Sequence, residues 1–290
     1  MKILICDAFD AGLPGKLAEF GEVFDDMGRL AEAEVALIRS KTTADKEFID
    51  KAPNLKLIIR GGVGIDNIDV EYAKTKGITV HNTPAASSPA VAELTMALLL
   101  GLINHIPASD LSVKEGKWEK KKFKRTELLG KTLGLLGVGR IGTEVAKRAA
   151  AFGMNVIAYD PYLQTHEIAT LVEKLDEFLG KVDFMSIHTP LTDETKGMVN
   201  KNMFAKMKDG VRIVNTGRGK VVDEKDIVEA LKSGKLAGFA NDVWYKDDAE
   251  NTEILREAQN TVLTPHIGAS SMENLLRIGE IIVDIIKNFK

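Results

Sequence analysis

Leu133-Gly134-Leu135-Leu136-Gly137-Val138-Gly139-Arg140-Ile141-Gly142 runs from an apolar strand into a helix through three glycines spaced G-x-G-x-x-G. The spacing alone is a weak signal. Here an apolar run precedes it and a stretch with helical periodicity, residues 144–152, follows it. Gly137 permits a tight turn, Gly139 lets the backbone approach a pyrophosphate, and Gly142 lets helix and strand pack closely, with the helix N-terminus facing the phosphate charge. The next apolar run, residues 155–159, ends at Asp160, 18 residues beyond Gly142. A carboxylate there accepts hydrogen bonds from the adenosine ribose hydroxyls and repels a 2′-phosphate, which selects NAD over NADP. No arginine follows before the next strand to reverse that choice.

Outward from this turn, short apolar runs alternate with amphipathic stretches along the whole chain. The spacing predicts strands at residues 2–6, 36–39, 55–60 and 78–80, then a second series at 132–136, 155–159, 182–187, 212–215, 236–240 and 261–263. Helical spacing fills the intervals, for example 43–51 and 70–76, with Gly77 as a stop. Alternating βα units imply parallel sheets with right-handed crossovers, and hence two doubly wound α/β domains. A long apolar-periodic segment from Ser88 to about His105 separates the series, and the final segment, 270–288, is able to return to the first domain. The expected division is 1–87 plus 268–290 against 88–267.

The length of 290 residues accommodates two cores. A net charge of −3 provides no global basic field for nucleic acid or an anionic membrane. The basic run 117–125, with Trp118 and Phe123, reads as a solvated linker with anchoring aromatics. A single cysteine, Cys6, excludes an internal disulfide and a cysteine-rich zinc site, so no metal is expected. Neither a signal peptide nor a 20-residue apolar span is visible, and a cytosolic protein is expected.

A nicotinamide enzyme acting on an alcohol–carbonyl pair needs a positive group to polarise the carbonyl and an acid/base to move the hydroxyl proton. His188 and His266 both end strands of the second series, at the edge where open α/β sheets bind ligands. Position alone does not choose between them. Arg218, in Asn215-Thr216-Gly217-Arg218-Gly219, ends another strand between glycines that let a ligand come close. Arg39 and Arg60 end strands of the first series, and Arg60 opens Gly61-Gly62-Val63-Gly64, whose N–H groups are able to cup a carboxylate. The two arginines and that loop point to an acidic substrate, with a phosphate as one option.

These segments together resemble the D-isomer-specific 2-hydroxyacid dehydrogenases, and among them the phosphoglycerate dehydrogenases. The resemblance rests on residues 60–69, 82–84, 91–95, 137–142, 188–192, 218–224 and 263–268, and so covers nearly the whole chain. It implies a flavodoxin-like substrate domain and a Rossmann domain binding NAD. It implies that His266 carries the proton, with His188 on the cofactor side, and that Arg218 polarises the carbonyl and grips the carboxylate. The N–H groups of Val63 and Gly64 would hold that carboxylate. Asp242 would orient the nicotinamide carboxamide, and Arg140, Ile141, Thr189, Pro190, Thr195, Thr216, Gly217 and Gly268 would line the cofactor. Arg39 and Arg60 would hold a phosphate, making 3-phospho-D-glycerate, the entry to serine synthesis, the favoured substrate. Reduction of glyoxylate or hydroxypyruvate is the alternative, and an NAD-sensing corepressor the alternative of another class. A homodimer through the long helix and residues 114–125 is implied as well.

Two residues depart from the family pattern. Its acid paired with the catalytic histidine is usually glutamate, but here the place falls on Asp247, with Asp248 as a second candidate. Aspartate is one methylene shorter, so the loop must sit closer to favour the imidazolium. Gly217 replaces the usual alanine before the arginine. The chain's end at Lys290 leaves no room for a regulatory serine-binding domain, so serine inhibition is not expected.

Overall fold

The computed structural model describes residues 1–248 and 250–289. The chain divides into two compact units, residues 1–90 with 269–290 and residues 91–268.

The first unit carries a five-stranded parallel sheet of β1 (Lys2–Ile5), β2 (Glu22–Phe24), β3 (Val35–Ile38), β4 (Leu57–Arg60) and β5 (Thr79–Asn82), in the order β2-β1-β3-β4-β5. Side chains alternate across a strand, and β3 shows the consequence. Val35 and Leu37 enter one core with Ile3, Leu57 and Ile59, whereas Ala36 and Ile38 enter the other with Leu4 and Ile58. The Met272–Asn288 helix adds Ile278, Ile282 and Ile286, one stripe at four-residue spacing, to the first of these cores. Each is buried, worth about 1.5–3 kcal/mol, which fixes the terminal helix on this sheet. Of the five strands, the sequence pattern missed β2, whose three residues are too few to show alternation.

The second unit carries β6 (Thr132–Leu136), β7 (Asn155–Tyr159), β8 (Thr170–Leu171), β9 (Phe184–Ile187), β10 (Val211–Asn215), β11 (Leu236–Asn241) and β12 (Thr261–Leu263). All pair in parallel in the order β12-β11-β10-β9-β6-β7-β8. The sequence missed only the two-residue edge strand β8. One face packs on the Ser88–Ile103 helix through Met96, Leu99 and Leu102, and the other on Phe178, Phe204 and Ile227. The strand order reverses between β6 and β9, and the carboxyl ends of β6, β9, β10, β11 and β12 share one edge. Open sheets of this kind take ligands at that edge. Among the described residues no single helix is long and apolar enough to cross a membrane.

Candidate active site

The turn after β6 has the shape its glycines anticipate. Gly137 has φ 85°, and a Cβ on it would lie 3.1 Å from the carbonyl of His188. A Cβ on Gly142 would lie 2.7 Å from the Gly137 carbonyl oxygen, so the Arg140–Ala151 helix sits on the turn only because that position is bare. Gly139, the helix N-cap, has open space in front of it. Arg140 is exposed and Ile141 half-buried in the first turn of the helix. Asp160, just past β7, accepts the Val138 N–H at 3.0 Å and the Tyr162 N–H at 3.1 Å. Those bonds aim its carboxylate beside the glycine turn and leave lone pairs for ribose hydroxyls.

His188, past the end of β9, meets Ser186 Oγ through Nε2 at 2.8 Å. Its Nδ1 is covered yet has no partner among the described residues, and the same holds for Thr189 Oγ1. Burial pushes the imidazole down to about 4, so it is neutral at physiological pH. Covered hydrogen-bonding groups without partners are rare in folded proteins. Two of them beside a bare glycine turn fit a polar ligand such as a dinucleotide. The hydroxyls of Thr195 and Thr216 are committed inward instead: Thr195 donates to Pro190 O at 2.7 Å, and Thr216 meets Thr95 Oγ1 at 2.8 Å. Each hydroxyl thus spends its proton within the protein and keeps only acceptor capacity for a cofactor. Gly217, between Thr216 and Arg218, is buried.

Adjacent strands β10, β11 and β12 bring Arg218, Asp242 and His266 to the same edge. Arg218 Nη1 donates to Gly217 O at 2.8 Å. His266 has φ 55°, a left-handed conformation that costs a non-glycine residue on the order of 1 kcal/mol. Asp242 holds it there. Its Oδ1 accepts the Thr264 hydroxyl at 2.6 Å and the Ile267 N–H at 2.9 Å, and its Oδ2 accepts the Gly268 N–H at 2.9 Å. Burial lifts the Asp242 carboxyl above the ordinary carboxylate value, against these three bonds and His266. The role of the carboxamide partner implied by resemblance thus falls on a group whose lone pairs mostly serve the histidine turn.

His266 Nδ1 lies 2.6 Å from Asp247 Oδ2. With Nδ1–H donating to the carboxylate, Nε2 is the ring nitrogen left to exchange a proton. The contact is made by Asp247, despite its shorter side chain.

In the first unit, β3 and β4 pair with Ile38 opposite Arg60, so Arg39 and Arg60 finish adjacent strands. Arg39 donates from Nη1 to Ala8 O at 3.2 Å and from Nη2 to Ala269 O at 3.0 Å. The Arg60 guanidinium lies where any side chain on Gly62 would stand. Asn82 Nδ2 donates to Val63 O at 2.5 Å. In a trans peptide this turns the Gly64 N–H to the opposite side.

Residues 96–268 match the family model described as D-isomer specific 2-hydroxyacid dehydrogenase, NAD binding domain. The chain belongs to this family. Over 262 residues it is 48% identical to the hydroxypyruvate reductase of Thermotoga maritima, covering 89% of this chain and 85% of that protein. Over 300 residues it is 43% identical to the D-3-phosphoglycerate dehydrogenase of Methanocaldococcus jannaschii, covering 99% of this chain. It spans only 57% of that relative's length. The crystal structure of D-lactate dehydrogenase from Aquifex aeolicus, complexed with NAD and lactic acid, matches with a TM-score of 0.87 and 32% identity over 98% of this chain and 94% of that one. Both sheets are therefore those of an NAD-dependent D-2-hydroxyacid dehydrogenase.

The family's motifs do not point to Ser186, Asp242's three hydrogen bonds, or the anchoring of Trp244 and Tyr245. Ser186 carries a readable signal, since a residue two before His188 on a strand shares its face. The others depend on contacts between strand ends remote in sequence.

Proposed function

We propose that the chain oxidises 3-phospho-D-glycerate to 3-phosphooxypyruvate, or runs the reverse reaction. The pairing of His266 with Asp247 beside the strand end that carries Arg218 is the observation that supports it. In the oxidative direction, the substrate hydroxyl gives its proton to His266 Nε2 while Asp247 stabilises the imidazolium. Arg218 grips the carboxylate and stabilises charge on the C2 oxygen as the carbonyl forms. NAD, when bound, would supply the acceptor for the C2 hydride. Its pyrophosphate would lie on the 137–142 turn, its adenosine ribose on Asp160, and its nicotinamide half near His188, Thr189 and Gly268. The Val63 and Gly64 N–H groups would take the substrate carboxylate, and Arg39 and Arg60 its phosphate. On this reading residues 1–87 with 268–290 serve the substrate and 88–267 the cofactor.

Hydroxypyruvate reduction is a second reading, favoured by Arg39, whose Nη1 and Nη2 already serve the Ala8 and Ala269 carbonyls. Steady-state kinetics with both substrates, each with NAD(H) and NADP(H), on Arg39→Ala and Arg60→Ala separates the two. A charge-assisted bond is worth about 1.5–3 kcal/mol, so KM for phosphoglycerate should rise roughly tenfold or more, while that for hydroxypyruvate stays within about threefold. An unchanged KM for phosphoglycerate in both variants removes the phosphate assignment.

We also propose a homodimer. The Ile106–Lys114 helix leaves Ile106, Leu111 and Val113 more than half exposed, and Trp118 beyond it is 86% exposed. Such a cluster of apolar side chains is unusual on a free surface. Sedimentation equilibrium at micromolar concentration should return twice the chain mass, and a monomer would overturn this.

A further inference from the structure

The loop that carries Asp247 has no strand or helix of its own. Residues 243–248 run between β11 and the short turn Glu250–Thr252, so something else must fix the carboxylate 2.6 Å from His266 Nδ1. Two aromatic residues are placed to do so. Trp244 is buried, and its indole N–H donates to Thr264 O at 3.0 Å, two residues before His266. On the other side the Trp244 backbone lies directly on Gly219, so close that any side chain at 219 would collide with it. Tyr245 Oη donates to Val222 O at 2.9 Å, in the segment that follows Arg218. The loop is thus pinned both to the strand end bearing His266 and to the turn bearing Arg218, two residues before the acid.

We infer that Trp244 and Tyr245 are positioning residues that draw this loop inward far enough for an aspartate, rather than a longer acid, to reach His266. The inference rests on His266 being the proton carrier. A carboxylate one methylene shorter has little slack, and its distance to the imidazole is set by the backbone that carries it. Two hydrogen bonds from rigid aromatic side chains hold that backbone at low entropic cost, since each ring has only two rotatable bonds.

The test is a compensation experiment. Tyr245→Phe keeps the ring and removes one hydrogen bond, and Trp244→Phe removes one together with the pyrrole half of the buried indole. Each should lower kcat about three- to tenfold, with KM for NAD within twofold and far-ultraviolet circular dichroism unchanged. In the wild-type background Asp247→Glu should also lower kcat, because a pinned loop cannot back away to admit the extra methylene. In the Tyr245→Phe background the same substitution should raise kcat by at least twofold, because the slack loop then accommodates the longer acid. A role in folding alone would not produce this reversal of sign. Unchanged kcat in both aromatic variants, or Asp247→Glu equally harmful in both backgrounds, overturns the inference. His266→Asn is run alongside: retention of activity within tenfold would instead remove the proton-transfer assignment.

Discussion

The carboxyl edges of the two sheets are built from similar parts, parallel strands that end in arginines and glycine-bearing turns, yet they commit their polar groups differently. In the first unit Asp7 accepts the Thr42 hydroxyl at 2.7 Å and the Arg39 N–H at 2.5 Å, while Asn67 donates to Arg39 O at 2.7 Å and Thr42 O at 2.6 Å. These loops close on one another. Among the described residues the covered groups without partners there are the Arg39 Nε, just past β3, and the hydroxyls of Thr83 and Ser87 after β5, so closure of the backbone loops still leaves an arginine donor unmet. In the second unit two such groups sit together on one turn, His188 Nδ1 and Thr189 Oγ1, against Gly137 and the glycine turn whose Gly139 faces open space. Where loops satisfy one another they hold a shape. Where they stop short, they mark the place a ligand completes.

The largest effect should come from breaking the second edge at Asp242. Its carboxylate receives two N–H groups and a hydroxyl, and it keeps His266 in a left-handed conformation. Asp242→Ala leaves those donors uncompensated, at about 1–3 kcal/mol for each one that stays dry. It also releases the histidine, for which general acid–base catalysis contributes about 10²–10⁴-fold. We expect kcat to fall roughly 10³-fold and the urea midpoint to drop by the equivalent of about 3 kcal/mol. A loss under tenfold would show that the histidine turn holds itself, and that this edge is as self-sufficient as the first.

His188 sharpens the contrast through pH. In the unfolded chain a histidine titrates near 6.5, but burial lowers this one to about 4 in the fold. Between those values the unfolded chain binds a proton that the folded chain refuses, so stability falls as pH drops from about 6.5 towards 4 and levels off below. The full difference is on the order of 3 kcal/mol. Urea denaturation from pH 7.5 to 4 should show this slope, and His188→Asn should flatten it. An unchanged slope in the variant would mean that the buried imidazole is not what resists the proton.

Much of the second edge was legible in the sequence because its features are local. Three glycines, a preceding strand and an acid 18 residues on can be read from spacing alone, and β6, β7 and β12 have the bounds their hydrophobic runs imply. What escaped is long-range or short. β2 and β8 have three and two residues and show no period. The Asp242 cage joins residues 22 to 26 apart, and the Trp244 and Tyr245 anchors span 20 and 23. The choice of Asp247 over Asp248 follows from how the loop folds, which no motif spacing encodes. The first edge was harder to read for the same reason. Arg39 looked like a free strand-end guanidinium, and its tie to Ala269, 230 residues away, appears only once the terminal helix has returned.

The smallest effect belongs to Gly217, where the chain departs from the alanine usual in its family. A Cβ there would lie 3.0 Å from Ile187 O and 3.3 Å from Thr189 O, close enough that those backbone carbonyls must give by a few tenths of an ångström. No left-handed φ stands in the way, since Gly217 is not among the positive-φ glycines. Gly217→Ala therefore combines a tight contact with the 0.4–1 kcal/mol, roughly, that a stiffer unfolded chain contributes. The two terms oppose each other, so stability should move by less than about 1 kcal/mol and kcat/KM by less than threefold. If the variant instead loses more than tenfold in kcat/KM with its melting temperature unchanged, then the bare position serves something that lies against it. What lies against it are the Ile187 and Thr189 carbonyls on either side of His188, so the loss would mean that the added methyl has shifted the very turn proposed to meet the cofactor.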